Sequence, residues 1–178
     1  MKLTTILAPT VLPVELESVK NFCRVLDNDE DAQVELMIRT ALHRAEDITN
    51  LTLNGVTTFK VALDGFKNFK FPKNPLLSVE KIEYIDSENS RQELSIIYYD
   101  VDETVIPGIC VFKNTPPSSY VEVTFKAGYV KLPPAIESWL NVEVSTLYEH
   151  REQVVVGASV AENKRVDRLL DSFRIIPV

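Results

Sequence analysis

Apolar residues recur at three- and four-residue steps in two early stretches and one late stretch, and at every second residue between them. Leu16, Val19, Phe22 and Cys23 fall on one face and predict a first helix over 14–25, with Glu15 and Glu17 near its positive end. Asp27 to Asp31 interrupts this stripe, and Asn28 or Asp29 is expected to cap a second helix over 30–50. There Val34, Ile38, Ala41, Ala45 and Ile48 step by four and three, with Met37 and Leu42 widening the stripe. Glu35–Arg39 and His43–Asp47 are i,i+4 pairs on its exposed side. A third helix over 135–151 follows Pro133 and Pro134, whose fixed φ suits a first turn. Ile136, Trp139, Leu140, Val144, Leu147 and Tyr148 form its apolar face.

Between 55 and 129 the period changes to two. Phe59, Val61 and Leu63 alternate with Lys60, Ala62 and Asp64, and Val121, Val123 and Phe125 alternate with Glu122, Thr124 and Lys126. Weaker strand signals lie at 79–85, 94–98 and 109–112, separated by turn chemistry such as Asp64-Gly65 and Pro107-Gly108. Five short strands predict a small antiparallel sheet. Residues 1–13 read as an extended lead-in. Past the third helix, 152–163 is a loop, 164–172 a short helix carrying Val166, Leu169 and Leu170, and 173–178 an apolar extended tail. The fold class expected is α+β, mainly α. It is a small helical bundle of three main helices plus a short C-terminal helix, with an antiparallel β subdomain inserted between helices 2 and 3 over about 55–129. The whole of 1–178 is read as a single domain.

A chain of 178 residues suffices for one such domain. Its formal charge of −7 argues against coating nucleic acid, where affinity rests on Lys and Arg neutralising phosphates. The opening MKLTTILAPTVLPVE has one lysine and no long apolar core, so no signal peptide is expected, and no run approaches the ~20 apolar residues of a membrane span. Cys23 and Cys110 form no CxxC pair and read as reduced thiols.

The sequence shows none of the common catalytic or ligand motifs. The Asp27-Asp29-Asp31 cluster lacks the glycine and the distal glutamate of a calcium loop. There is no GxxxxGK[ST], GxGxxG or HExxH, and His43 and His150 sit on separate helices without a nucleophile at motif spacing. No catalytic, cofactor-binding or metal-binding residue is expected. Two apolar stretches without an evident core partner stand out instead. Val154, Val155 and Val156 in the loop, and Phe173, Ile175 and Ile176 in the tail, are candidate contacts with a partner or a neighbouring subunit.

Taken in order, the blocks resemble the head–tail connector (adaptor, or head-completion) family of tailed phages and prophages. The matching blocks run from Pro13 to Val25, through the acidic stretch and long helix of 27–52, to Phe71-Pro72 and Pro75 to Val79. They continue with Tyr84-Ile85-Asp86, Tyr99 to Asp102, Val121 to Tyr129 with Pro133 to Ile136, Leu147 to Gly157, and Leu169-Leu170 with Phe173-Arg174. The chain departs at Pro116 to Ser119, where the family pattern has a Trp-Pro pair.

The resemblance implies a structural virion protein and no enzyme. It implies a ring, commonly of twelve subunits, beneath the portal at the capsid vertex, assembled in the host cytoplasm and sitting at the head–tail interface. The ring extends the DNA channel, closes the head and offers the tail, or head-closure proteins, an attachment surface. An acidic chain suits a channel through which DNA slides without sticking. Implied partners are the portal protein, tail or head-closure proteins and further copies of the chain, with no sequence-specific nucleic acid and no membrane. A tail-completion module that binds tail proteins is the alternative.

Overall fold

The computed structural model describes residues 1–150 and 164–175. Helix and strand take roughly equal shares, so the chain is mixed α+β and not mainly α. The elements are β1 (Lys2–Leu7), α1 (Leu16–Cys23), α2 (Asp31–Thr49), β2 (Thr57–Leu63), β3 (Phe69–Lys70), β4 (Leu76–Ile85), β5 (Arg91–Glu93), a 3-10 turn (Ile96–Tyr98), β6 (Tyr99–Asp102), β7 (Ile109–Phe112), β8 (Val121–Ala127), α3 (Pro134–Glu149) and α4 (Lys164–Asp171). They fall into two compact units. One is Met1–Thr10 with Gly55–Tyr129, and the other is Val11–Asn54 with Val130–Val178.

The first unit holds two antiparallel sheets where one was expected. One runs β1-β2-β8-β4-β5 and the other β3-β7-β6. The extended lead-in is in fact a strand. Lys2 faces Ala62 and Thr5 faces Phe59 across the β1–β2 ladder. β8 is central, paired with β2 on one side and β4 on the other. Its alternation is strict because Val121, Val123, Phe125 and Ala127 all enter the core. Phe59 and Phe125, opposite one another in register, have ring centroids 5.6 Å apart, and Phe71 adds an edge-on ring 4.9 Å from Phe125. The same cluster includes Ile82, Leu94 and Cys110, so the two sheets share one core.

The run at 94–98 is no strand. Only Leu94 is buried, and Ile96 and Ile97 stand 73% and 72% exposed in the 3-10 turn that leads into β6. Asn74 is a buried polar group with both ends used. Its amide donates to the Phe71 carbonyl (3.0 Å) and its oxygen accepts from the Gly108 N–H (3.0 Å). Gly65 has φ +90°, and an added Cβ would meet the Ser118 carbonyl at 2.9 Å, so the Asp64-Gly65 turn requires glycine.

In the second unit the helices begin and end within two residues of the expected bounds. Val34, Ile38, Ala41, Leu42 and Ala45 of α2 are buried, as are Ile136, Trp139, Leu140 and Val144 of α3. Phe22 is the exception to the α1 stripe, pointing outward at 51% exposure.

The acidic junction acts differently from the expected cap. Glu30 occupies the α2 N-cap without a side-chain capping bond, its carboxylate instead accepting from the Tyr148 hydroxyl. Asn28 and Asp31 instead receive the Lys20 ammonium, at 2.7 and 2.5 Å, with Glu17 at 3.5 Å. Lys20 is only 2% exposed, and an unpaired buried ammonium would be costly, so this cluster fixes how α1 meets α2. The hydrogen bond to Asp31 lifts the ammonium pKa above its ordinary value, against the opposing effect of burial. The i,i+4 pairs form as expected, with Arg39 to Glu35 at 2.6 Å and His43 to Asp47 at 3.2 Å.

Candidate assembly surfaces

The chain's candidate site residues divide by where they fall. Val154, Val155, Val156 and Ile176 lie outside the described residues. Phe173 and Ile175 are described, and both are half-buried. The Phe173 N–H donates to the Leu170 carbonyl (2.9 Å), continuing the last turn of α4. The Ile175 N–H donates to the Thr49 carbonyl (2.9 Å), and the Asn50 amide donates to the Ile175 carbonyl (2.8 Å). The last carbonyls of a helix have no partner within it, and Asn50 takes the left-handed conformation common at a helix end. The backbone at the start of the tail therefore satisfies the end of α2, while the Phe173 and Ile175 side chains stay half-buried.

α4 is secured in a similar way. Leu170 is fully buried, and the Trp139 indole N–H donates to Asp167 at 3.1 Å. Trp139 itself is wholly buried, the core anchor its position in the α3 stripe suggests. His150 ends α3 as an exposed C-cap.

The polar face of the five-stranded sheet, opposite its aromatic core, carries a charge network that periodicity did not reveal. Glu122 on β8 accepts from Arg91 (2.6 Å), Lys60 (3.2 Å) and the Tyr120 hydroxyl (2.9 Å). Glu83 on β4 lies 3.0 Å from Lys81 and 3.5 Å from Arg91. Burial works to raise the Glu122 carboxyl, but the bonds from Tyr120, Lys60 and Arg91 outweigh it and hold the pKa below the usual glutamate value. The alternation Lys60, Glu122 was visible in the sequence. Their pairing was not, because it depends on strand order. Burial pushes the Cys110 thiol up to about 12 and raises the Cys23 thiol as well, so both favour the protonated form at neutral pH.

Among the described residues no group of three or more His, Cys, Asp or Glu is placed to hold a metal ion, and no helix is long and apolar enough to cross a membrane. What the surface offers is packing and charge: exposed strands, a polar sheet face and a tail start tied to a helix end.

Comparison with known proteins makes the class specific. The chain belongs to the family described as phage gp6-like head-tail connector protein, whose model matches residues 13–107. Its fold is similar to solved chains from gene transfer agent particles. One is from the neck of an empty particle computed with C6 symmetry (TM-score 0.77, 19% identity). Another is from the virion of the native particle (0.78, 18%), and a third from the native neck computed with C12 symmetry (0.68, 20%). Each likeness covers 100% of this chain and 97% of the other. No curated protein matches the sequence.

Proposed function

We propose that this chain is a structural virion protein whose copies form a ring between the portal and the tail, extending the DNA channel and closing the head. The observation that carries this reading is membership of the connector family, matched over residues 13–107. The likeness to neck chains along the full length supports it. Both compact units act together in this role as one connector domain. The role is architectural and not enzymatic, and its site is the head–tail interface of the particle. The formal charge of −7 favours DNA passing the ring over DNA held by it. Val154, Val155, Val156, Phe173, Ile175 and Ile176 are the contacts proposed for the portal or a neighbouring subunit.

Light scattering tests this reading on the protein alone and then mixed with the portal of the same phage. A ring, formed alone or on mixing, is the expected result. Deleting 176–178 spares the Ile175–Thr49 hydrogen bond, so the helices should stay folded while portal binding weakens. A monomer under both conditions, with binding only to tail proteins in a pull-down, would replace the ring by a tail-completion module.

A further inference from the structure

The three-stranded sheet carries opposite charge on its two edges. β3 is one edge and β6 the other, each paired only with β7. Lys70 and Asp102 both stand opposite Ile109, so they share one face of the sheet, two strands apart. The other face, with Phe69, Cys110 and Val101, belongs to the core. Exposed Lys67 lies just before β3, and exposed Glu103 follows Asp102. Among the described residues neither these two lysines nor these two acids form an ion pair. Two nearby charges are already engaged. Lys113 holds Asp100, and the Lys73 nitrogen sits 6.0 Å from the Phe59 ring centroid.

Both edges are prepared for contact. On the basic side, the Phe66 and Phe69 rings pack on Phe112 with centroids 5.2 and 6.4 Å away. The Asn68 side-chain oxygen accepts from the Phe112 N–H (2.9 Å), and the Phe71 N–H donates to the Gly108 carbonyl (2.8 Å). The backbone that displays the lysines is therefore fixed before any partner arrives, which lowers the ordering cost of binding. On the acidic side, the Thr104 hydroxyl and N–H donate to Asp102 at 2.6 and 3.0 Å and hold its carboxyl below the usual aspartate range. Exposed Ile96 and Ile97 lead into β6, and exposed Val105 and Ile106 follow it. Apolar groups flanking a charged edge mark an interaction surface. Lysine stems beside the half-buried Phe66 and Phe69 rings offer them an apolar counterpart.

Resting on the ring reading above, we infer that the basic β3 edge of one subunit docks by ion pairing against the acidic β6 edge of the next. The occupant is a second copy of this chain. In a chain of formal charge −7 the unpaired basic strip suits an acidic surface, and β6 presents one on the same sheet face. A ring requires a heterologous contact with two different patches per subunit, and the two edges supply patches of opposite sign. The contact is between side chains. β3 has only two residues, and no strand ladder across the interface is involved.

Charge reversal in the full chain tests it. One variant carries Lys67→Glu and Lys70→Glu, the other Asp102→Lys and Glu103→Lys. All four positions are exposed, so circular dichroism and melting should match wild type. By light scattering at low salt, each variant alone should self-associate about tenfold more weakly, because both of its edges then carry one sign. An equal mixture should regain assembly, since each variant offers the edge that the other needs. Wild-type rings that both variants form equally well would overturn the edge contact and leave the ring reading intact. Weakened variants that do not rescue each other would also overturn it. A lysine variant that assembles normally but loses a labelled DNA duplex retained by wild type would assign the strip to DNA and overturn it as well. Wild-type monomers under every condition, with portal present, would remove the ring reading and this interface together.

Discussion

Replacing Trp139 by phenylalanine should cost about 3 kcal/mol of stability, the sum of a packing loss and a lost hydrogen bond. The indole is wholly buried, so the smaller ring leaves space that its neighbours fill only in part. The side chain loses roughly two buried carbons at about 0.8 kcal/mol each. The lost bond is the one from the indole N–H to Asp167, 3.1 Å long. A bond to a carboxylate contributes about 1.5–3 kcal/mol, and the low end applies because half-buried Asp167 can turn its oxygen to water. Against a total of about 5–15 kcal/mol for a folded protein, that is a large share.

Urea unfolding followed by circular dichroism measures the loss. In Asp167→Ala the signal can come from tryptophan fluorescence, since Trp139 is the sole tryptophan. The double variant should show a coupling of about 1.5 kcal/mol between the two positions. Amide exchange should rise across α4, which the bond helps hold. If Trp139→Phe costs no more than the roughly 1.6 kcal/mol of its carbons, with no coupling to Asp167, the hydrogen bond contributes nothing and the account of α4 docking is wrong.

Two further outcomes are expected. Glu122 has a pKa depressed in the folded chain, so its stabilisation is present above the ordinary glutamate value of 4.5 and is lost as pH falls through the lower folded value. Thermal melts should therefore show Glu122→Gln less stable than wild type at pH 7 and level with it near the acid end, and a gap independent of pH would refute the network's contribution. Cys110, fully buried with its thiol at about 12, should resist iodoacetamide at pH 8 until urea unfolds the chain, as read by mass spectrometry, and rapid labelling of the native protein would contradict its burial.

The helices were legible in the sequence because a 3.6-residue stripe over 16 or 19 residues has few competing readings. β8 was legible because it is covered on one face and flanked by strands on both edges. β1 was not. Its six residues are all exposed, so burial imposes no alternation, and it is a strand only because of partners some sixty residues later. At 94–98 the alternation was present but followed a different cause. Leu94 closes the core under Ile82, and the backbone then turns through Ile96–Tyr98 into another sheet. Phe22 fits the α1 stripe by spacing yet faces out. The charged cluster at 27–31 was visible, but its use depended on Lys20, whose burial no local pattern signals. The strand edges were the least legible, because they acquire their position only from sheet order.

The place of β8 in that order has a consequence for synthesis. Of the five strands in its sheet it is the last to leave the ribosome, yet it lies in the middle, between β2 and β4. Until Ala127 has emerged, β1 with β2 and β4 with β5 can exist only as separate ribbons, each with an unsatisfied edge where β8 belongs. The sheet closes by insertion and not by growth from one side. A nascent chain stalled before β8 therefore carries the other four strands of this sheet as two unjoined ribbons, and every incomplete copy displays adhesive edges to its neighbours on the polysome.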